Sequence, residues 1–294
     1  MATSAALLAG TVCLAPGCSN GTGDAGTTVV ATTGVIADVV ARVAGPEAEV
    51  VQLIPDGTDP HSFALSAEDR LELEQADLVV GNGAGLEAGL PLDETDAPVW
   101  ELAENVESPL PSSGDEEGAQ DPHVWMDPTR VAGAMPSLGD ALAEADPDSA
   151  EDHLKRADRY ARHLLEIDRL VERAMRTIPV SDRELVTSHD SLAYFADRYD
   201  FEVLETPFPS TGAEAEASAD RLAAVEEAVR DTGVSAIFAQ EGDDPEVMEL
   251  IADDTGAALV YGLLVESPAA AGSYEEMLQV DAELVAGGLA PQGG

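Results

Sequence analysis

Residues 147–178 contain no glycine and no proline beyond Pro147, and they carry Leu154, Ala157, Ala161, Leu164, Leu165, Val171 and Met175 at helical spacing. At 1.5 Å per residue this stretch predicts one helix on the order of 45 Å long, more than twice the mean length in globular proteins. Ser149, with Asp152 three residues later, is a capping pattern for its start. A helix of this length in mid-chain can brace two lobes.

On both sides of it short β-like runs alternate with amphipathic helical stretches. Residues 29–33 predict a strand, and Val35, Val39, Val40 and Val43 then recur at helical spacing until Gly45 and Pro46 stop the helix. A strand follows over 50–54, then a helix to Ala76 opened by a Ser66/Asp69 capping box, then a strand over 78–81. After Asp127-Pro128 comes a helix to about Ala145, bent or interrupted near Pro136. Beyond Pro179 the pattern predicts strands over 184–188, 201–205, 234–239 and 257–261, and helices over 191–199, 219–231, 245–254 and 273–286. The fold class this implies is α/β: two lobes with parallel β-sheets flanked by helices, joined by one long rigid helix. The expected divisions are 28–146 for the N-terminal lobe, 147–179 for the linker helix and 180–294 for the C-terminal lobe.

Charge narrows the range of partners. The chain has 58 acidic against 14 basic residues, a net charge of −44, and a single lysine, Lys155. Nothing in it could neutralise a run of phosphates, so a nucleic-acid partner is excluded. The acids are spread over the whole chain, as on a solvated surface suited to high salt, rather than gathered near one site.

The first residues have the character of a processing segment. Residues 5–14 form an apolar run too short to span a bilayer, leading into Leu14-Ala-Pro-Gly-Cys18 and a small polar stretch. This resembles a bacterial lipoprotein leader, with 1–18 the signal segment, Cys18 the lipidated residue and 19–27 a flexible tether. No Lys or Arg precedes the apolar run, a departure from such leaders, and both cysteines, Cys13 and Cys18, fall within the leader segment 1–18.

The chain has five histidines. His153 and His163 lie among charged residues of the long helical stretch and are expected on its surface. The other three occupy loops at strand exits or before helices: Gly57-Thr-Asp-Pro-His61, Asp121-Pro-His123 and Ser188-His189-Asp190. Open α/β sheets bind ligands beyond the carboxyl ends of their strands, and Glu266 sits in a fourth such turn. Three imidazoles and a carboxylate so placed suit a buried divalent metal ion. Asp190 and Asp127 are the carboxylates nearest in sequence that could orient the imidazoles.

The motifs also carry a family resemblance. Gly57-Thr-Asp-Pro-His61-Ser-Phe, Ala76-Asp-Leu-Val-Val-Gly-Asn-Gly, Asp121-Pro-His123-Val-Trp-Met-Asp-Pro128 and Thr187-Ser-His189-Asp-Ser-Leu-Ala-Tyr-Phe occur in order. Together they resemble the solute-binding proteins of zinc and manganese ABC importers, over nearly all of the chain beyond the leader. The resemblance implies a metal held in the cleft between two lobes, with His61 and His123 as ligands from the first lobe and His189 from the second. The family's fourth ligand is usually an Asp. Here Glu266 takes that place, and its longer side chain must fold back by about one methylene to keep a bond of ~2.0–2.2 Å. Glu241 is a neighbouring alternative. Where zinc receptors of this family often carry a His-rich loop, residues 112–120 have Asp115, Glu116 and Glu117 and no His.

The function implied is capture of Zn2+, with Mn2+ as the alternative cargo, and its delivery to an ABC permease by a monomer anchored on the outer face of the cell membrane. A surface adhesin keeping a structural metal is a further alternative. A closed four-ligand shell leaves no position for an activated water, and the chain lacks an HExxH helix or a nucleophile elbow, so it is not expected to be an enzyme.

Overall fold

The computed structural model of the chain describes residues 26–113, 118–208, 219–243 and 245–290. Cys13, Cys18 and the acidic residues 115–117 lie outside these.

In the first lobe, β1 (Thr27–Ala31), β2 (Ala48–Gln52), β3 (Leu78–Gly81) and β4 (Val99–Glu101) form a parallel sheet in the order β2-β1-β3-β4. Alternate side chains point to opposite faces of a strand. Val29, Ala31, Leu78 and Val80 accordingly enter one apolar cluster, and Val30 and Val79 another. The helix α1 (Gly34–Ala44) starts at Thr33, whose hydroxyl accepts from the Ile36 N–H, and stops at Gly45 in a positive-φ conformation. The predicted capping box opens α2 (Ala67–Gln75): the Ser66 and Asp69 side chains each take the other's main-chain N–H. β4 has no counterpart in the sequence reading, because a three-residue strand is too short to show a period.

The second lobe repeats the pattern more thinly. Its strands are β5 (Glu184–Leu185), β6 (Glu202–Val203), β7 (Ala236–Gln240) and β8 (Ala258–Leu263). β5 pairs with β6 and β7 with β8, all parallel, and the parallel bridge Thr187–Phe238 joins the two pairs. The resulting order β6-β5-β7-β8 is the arrangement of the first lobe. Around it pack α5 (Ala193–Tyr199), α6 (Ala219–Thr232), α7 (Glu246–Thr255) and α8 (Tyr274–Leu289).

α3 (Pro128–Ala145), the last helix of the first lobe, lies beside α4 (Ala150–Met175), the long helix between the lobes. They approach closely at Gly139, where an added Cβ would stand 2.7 Å from that of Ala157. α3 runs through Pro136 without interruption. α4 is a 26-residue helix, about 39 Å long. Ser149 is its N-cap residue, but its side chain does not cap; its main-chain N–H instead donates to Asp146. The buried stripe of α4 runs through Ala157, Tyr160, Leu164, Ile167, Val171 and Met175, whereas Leu154 and Leu165, expected in that stripe, are exposed. One apolar cluster takes in α1, α3, α4, α8 and the inner faces of both sheets, so the lobes share a core.

His153 departs from its expected surface position and is fully buried. α1 packs over the start of α4, and Arg156 donates to the carbonyls of Val43 and Ala44 at the end of α1. His153 lies beneath that cap, with Nε2 3.1 Å from Asp146. His163 is half-exposed, as expected. Among the described residues no helix is long and apolar enough to cross a membrane.

Candidate metal centre

The two Asp-Pro-His sequences fold into the same local device. In each, the Asp carboxylate accepts the main-chain N–H of the His two residues on: Asp59 from His61 at 2.8 Å and Asp121 from His123 at 2.8 Å. Such a side-chain turn, with Pro fixing φ at its centre, sets the direction in which the imidazole leaves the chain. Asp59 also accepts from the Ser62 hydroxyl. Asp121 goes further, because the same oxygen lies 2.9 Å from His123 Nδ1. A carboxylate there accepts the hydrogen bond from Nδ1–H and leaves Nε2 as the unprotonated nitrogen.

His123 is reinforced from β3. Asn82, at the exit of that strand, donates to the carbonyl of Pro122 at 2.8 Å. The main-chain N–H groups of Asn82 and Gly83 are held in turn by the buried carboxylate of Glu87. Burial pushes the Glu87 pKa up, and the hydrogen bonds from Thr32, Asn82 and Gly83 oppose that shift.

The second lobe supplies the other two residues from strand exits. Past β5 the chain continues alongside β7, with the Ser188 N–H donating to the Phe238 carbonyl at 2.9 Å, and delivers His189. The Thr187 hydroxyl donates to the His189 carbonyl at 2.7 Å. Past β8 the Leu264 N–H donates to Asp281 of α8 at 2.7 Å and the Val265 carbonyl accepts from the Trp125 indole at 2.6 Å, which brings in Glu266. No hydrogen bond reaches the Glu266 carboxylate from the described residues.

These four side chains meet. The rings of His61, His123 and His189 lie 5.4–5.8 Å apart, centroid to centroid. One ligand atom from each of the three and from Glu266 lies within 4.8 Å of all the others. The Nε2 atoms of all three histidines are buried and have no hydrogen-bond partner. A buried polar atom without a partner is costly, and three aimed at one point call for a shared occupant.

Burial disfavours protonation of two of these imidazoles at neutral pH. Burial, and then the neighbouring His123, lowers the His61 pKa to about 4. Burial and the other two imidazoles hold His189 well below the usual histidine range. Burial lifts Glu266 to about 7, with Asp59 and Asp243 adding to the rise and His123 opposing it. At neutral pH His61 and His189 are therefore neutral, and Glu266 can give up its proton readily to a cation that takes its place. Beside the centre a cavity of about 450 Å³ opens between the lobes, with Asp56, Asp59, Glu241 and Asp243 on its walls.

All four residues of the sequence-derived set are thus brought together. Glu241 is exposed on the cavity wall and does not join them. Neither Asp127 nor Asp190, the carboxylates nearest in sequence, bonds to an imidazole. Asp127 accepts from the Thr129 N–H at the start of α3 and pairs with Arg130, and Asp190 accepts from the Ser113 hydroxyl. Asp121 is the residue on an imidazole, and the signal for it was its place in the repeated Asp-Pro-His motif. Trp125 and Asp281 carried no signal, since their partners lie far away in sequence.

The chain is 27% identical over 285 residues to the metal ABC transporter substrate-binding lipoprotein SloC of Streptococcus mutans, covering 92% of each. It is 26% identical over 290 residues to the manganese-binding lipoprotein MntA of Halalkalibacterium halodurans, covering 94% of each. Among solved structures, the periplasmic zinc-binding protein TroA of Treponema pallidum superposes with a TM-score of 0.83 at 25% identity, over 90% of this chain and all of that one. The family profile of zinc-uptake complex component A, periplasmic (ZnuA), matches residues 29–287. With nearly the whole described chain matched, the protein belongs to the ZnuA family, whose members are substrate-binding receptors and not enzymes.

Proposed function

We propose that the protein is the extracytoplasmic substrate-binding lipoprotein of a metal ABC importer, that its cargo is zinc, and that His61, His123, His189 and Glu266 are the ligands. The observation that carries this reading is the convergence of three buried, partnerless Nε2 atoms with one carboxylate. Imidazole nitrogens are borderline donors that suit zinc in a four-ligand shell, and zinc stands above manganese in intrinsic affinity for such a set. In this reading the lobes follow the divisions 28–146 and 180–294 on either side of the linker 147–179. The mature chain is held at the outer face of the membrane through lipidated Cys18, and acts as a monomer that hands the ion to an ABC permease.

The relatives supply the second reading. MntA is named for manganese and TroA for zinc, so the same architecture serves either ion. Manganese favours more oxygen donors than this centre offers. Calorimetric titration of metal-free protein with both ions separates the two: zinc is expected to bind more tightly by a wide margin. Equal or tighter manganese binding would overturn the choice of cargo while leaving the receptor reading in place. Metal analysis of protein purified without chelator tests the receptor reading itself.

A further inference from the structure

Two residues past His123, the indole of Trp125 joins the two lobes inside the metal centre. Trp125 lies on the 3-10 turn Val124–Met126 and is 3% exposed. Its ring packs edge-on against His123, with centroids 5.3 Å apart at 63°. Its Nε1–H donates across the cleft to the carbonyl of Val265 at 2.6 Å, next to Glu266. In return Tyr274, fully buried at the start of α8, donates its hydroxyl proton to the carbonyl of Trp125. The Leu264 N–H, one residue further back, is held by Asp281 of the same helix. The strand exit carrying Glu266 is therefore clamped between its own lobe through Asp281 and the opposite lobe through Trp125.

Other contacts also join the lobes, and some reach the ligand segments: the Tyr194 hydroxyl donates to the Asp121 carbonyl at 3.2 Å, and the Ser113 hydroxyl donates to Asp190 beside His189. Arg130 pairs with Asp197 at 2.6 Å, but the Asp197 side chain is 51% exposed and the pair touches no ligand segment. The Ser267 hydroxyl donates to Asp56 at an exposed position. Exposed ties of this kind contribute little. The Trp125 bond is buried and touches both a first-lobe ligand, through the ring, and a second-lobe ligand, through its neighbour's carbonyl.

The geometry points to Trp125 as a positioning residue that sets Glu266 against His123, so that closure of the lobes and completion of the ligand set are one event. This rests on the metal-receptor reading above and adds to it the group that couples the lobes. Losing the indole N–H strands the buried Val265 carbonyl and frees the Glu266 segment to drift from the histidines. The cost falls on holding the ion rather than on first capturing it.

The test replaces Trp125 site-specifically by β-(3-benzothienyl)alanine, which keeps the bicyclic shape and puts sulfur in place of the N–H; Trp125→Phe is a second variant. Asp197→Ala serves as control, since it breaks a tie between the lobes away from the ligands. Zinc alone is the probe, with Kd from chelator competition and dissociation followed into excess chelator. The sulfur analogue is expected to weaken zinc binding about tenfold or more, the scale of one stranded buried acceptor, with the rise in dissociation rate accounting for most of it. Asp197→Ala is expected to leave Kd unchanged. A sulfur analogue with wild-type Kd and dissociation rate, or one altered only in Tm, would overturn the role of Trp125. A wild-type chain that binds neither zinc nor manganese would instead remove the receptor reading.

Discussion

The two lobes share one strand order but hold their proposed ligands in different ways. The first has a continuous four-stranded sheet and presents both histidines on Asp-Pro-His turns whose side-chain locks come from the lobe itself, Asp59 and Asp121 with Asn82 behind it, although second-lobe Tyr194 also donates to the Asp121 carbonyl. The second has two strand pairs, one of them only two residues long per strand, and its Glu266 segment is held partly by a residue of the other lobe. A half-site organised in advance can meet the ion first, whereas a half-site that depends on contact across the cleft completes the shell only when the lobes are together. Preorganisation on one side and dependence on the other allow an ion to be both captured and handed on.

The sharpest way to break this comparison is to remove a ligand from each side. Structural zinc sites are worth roughly 10–16 kcal/mol over four ligands, so His123→Ala is expected to weaken zinc about a hundredfold or more. Glu266→Ala should cost less, because water can replace one carboxylate oxygen more easily than a sealed imidazole. Competition titration of both variants checks the order, and equal losses would mean that the lobes contribute alike.

Next in size is the orienting carboxylate. Asp121→Asn changes the acceptor that keeps Nε2 of His123 free, and substitutions of such partners typically cost 10–100-fold in metal affinity. Asp59→Asn alters only a turn, because no bond from Asp59 to an imidazole accompanies its bond to the His61 N–H, and it should cost severalfold at most. Kd values for the pair measure how much of the first lobe's advantage lies in fixing the ring rather than the backbone.

Acid sharpens the contrast within the metal-free protein. His61, at about 4, and His189 lie below the unfolded histidine value near 6.5, so their burial costs stability progressively as pH falls below ~6.5, down to their folded pKa values. Glu266, at about 7, has the opposite sign: it binds a proton more readily when folded, so its contribution grows as pH falls from about 7 towards 4.5 and offsets part of the histidine loss. Metal-free Glu266→Gln should therefore lose stability more steeply than wild type between pH 6.5 and 4.5, by roughly 2–3 kcal/mol at most. Denaturant unfolding at stepped pH measures it, and parallel slopes would contradict the raised pKa.

The smallest effect is in dynamics. Amides of β1 and β3, central in the first sheet, should exchange more slowly than those of β5 and β6, by an opening free energy of about 1–3 kcal/mol. Hydrogen exchange on the metal-free protein reads this directly, and addition of zinc should narrow the gap.

Much of this molecule was legible before any coordinates, because the signals involved are local. A capping box needs four residues, as at Ser66 and Asp69, and a buried helix stripe or a strand shows its period within a dozen. The long mid-chain helix, the strand–helix alternation and the three loop histidines follow from such short-range patterns, the last because strand exits are where α/β sheets receive ligands, whereas the sequence leaves Glu266 and Glu241 both open as the fourth residue. Where local cues were ambiguous they misled. Ser149 has the spelling of a cap but makes none, and Leu154 and Leu165 sit one step off the buried stripe.

What the tertiary structure decided involves partners far apart in the chain. His153 is buried because the end of α1, 110 residues earlier, covers it. Trp125 reaches Val265 across 140 residues, and Asn82 reaches Pro122 across 40. Asp121 was visible as a letter in a motif, but that its carboxylate turns back onto the His123 ring depends on how Asn82 and Glu87 seat the loop. Periodicity and caps record what a segment does with its own neighbours. Which distant surface it meets is settled only when the apolar faces of both sheets close on one shared core.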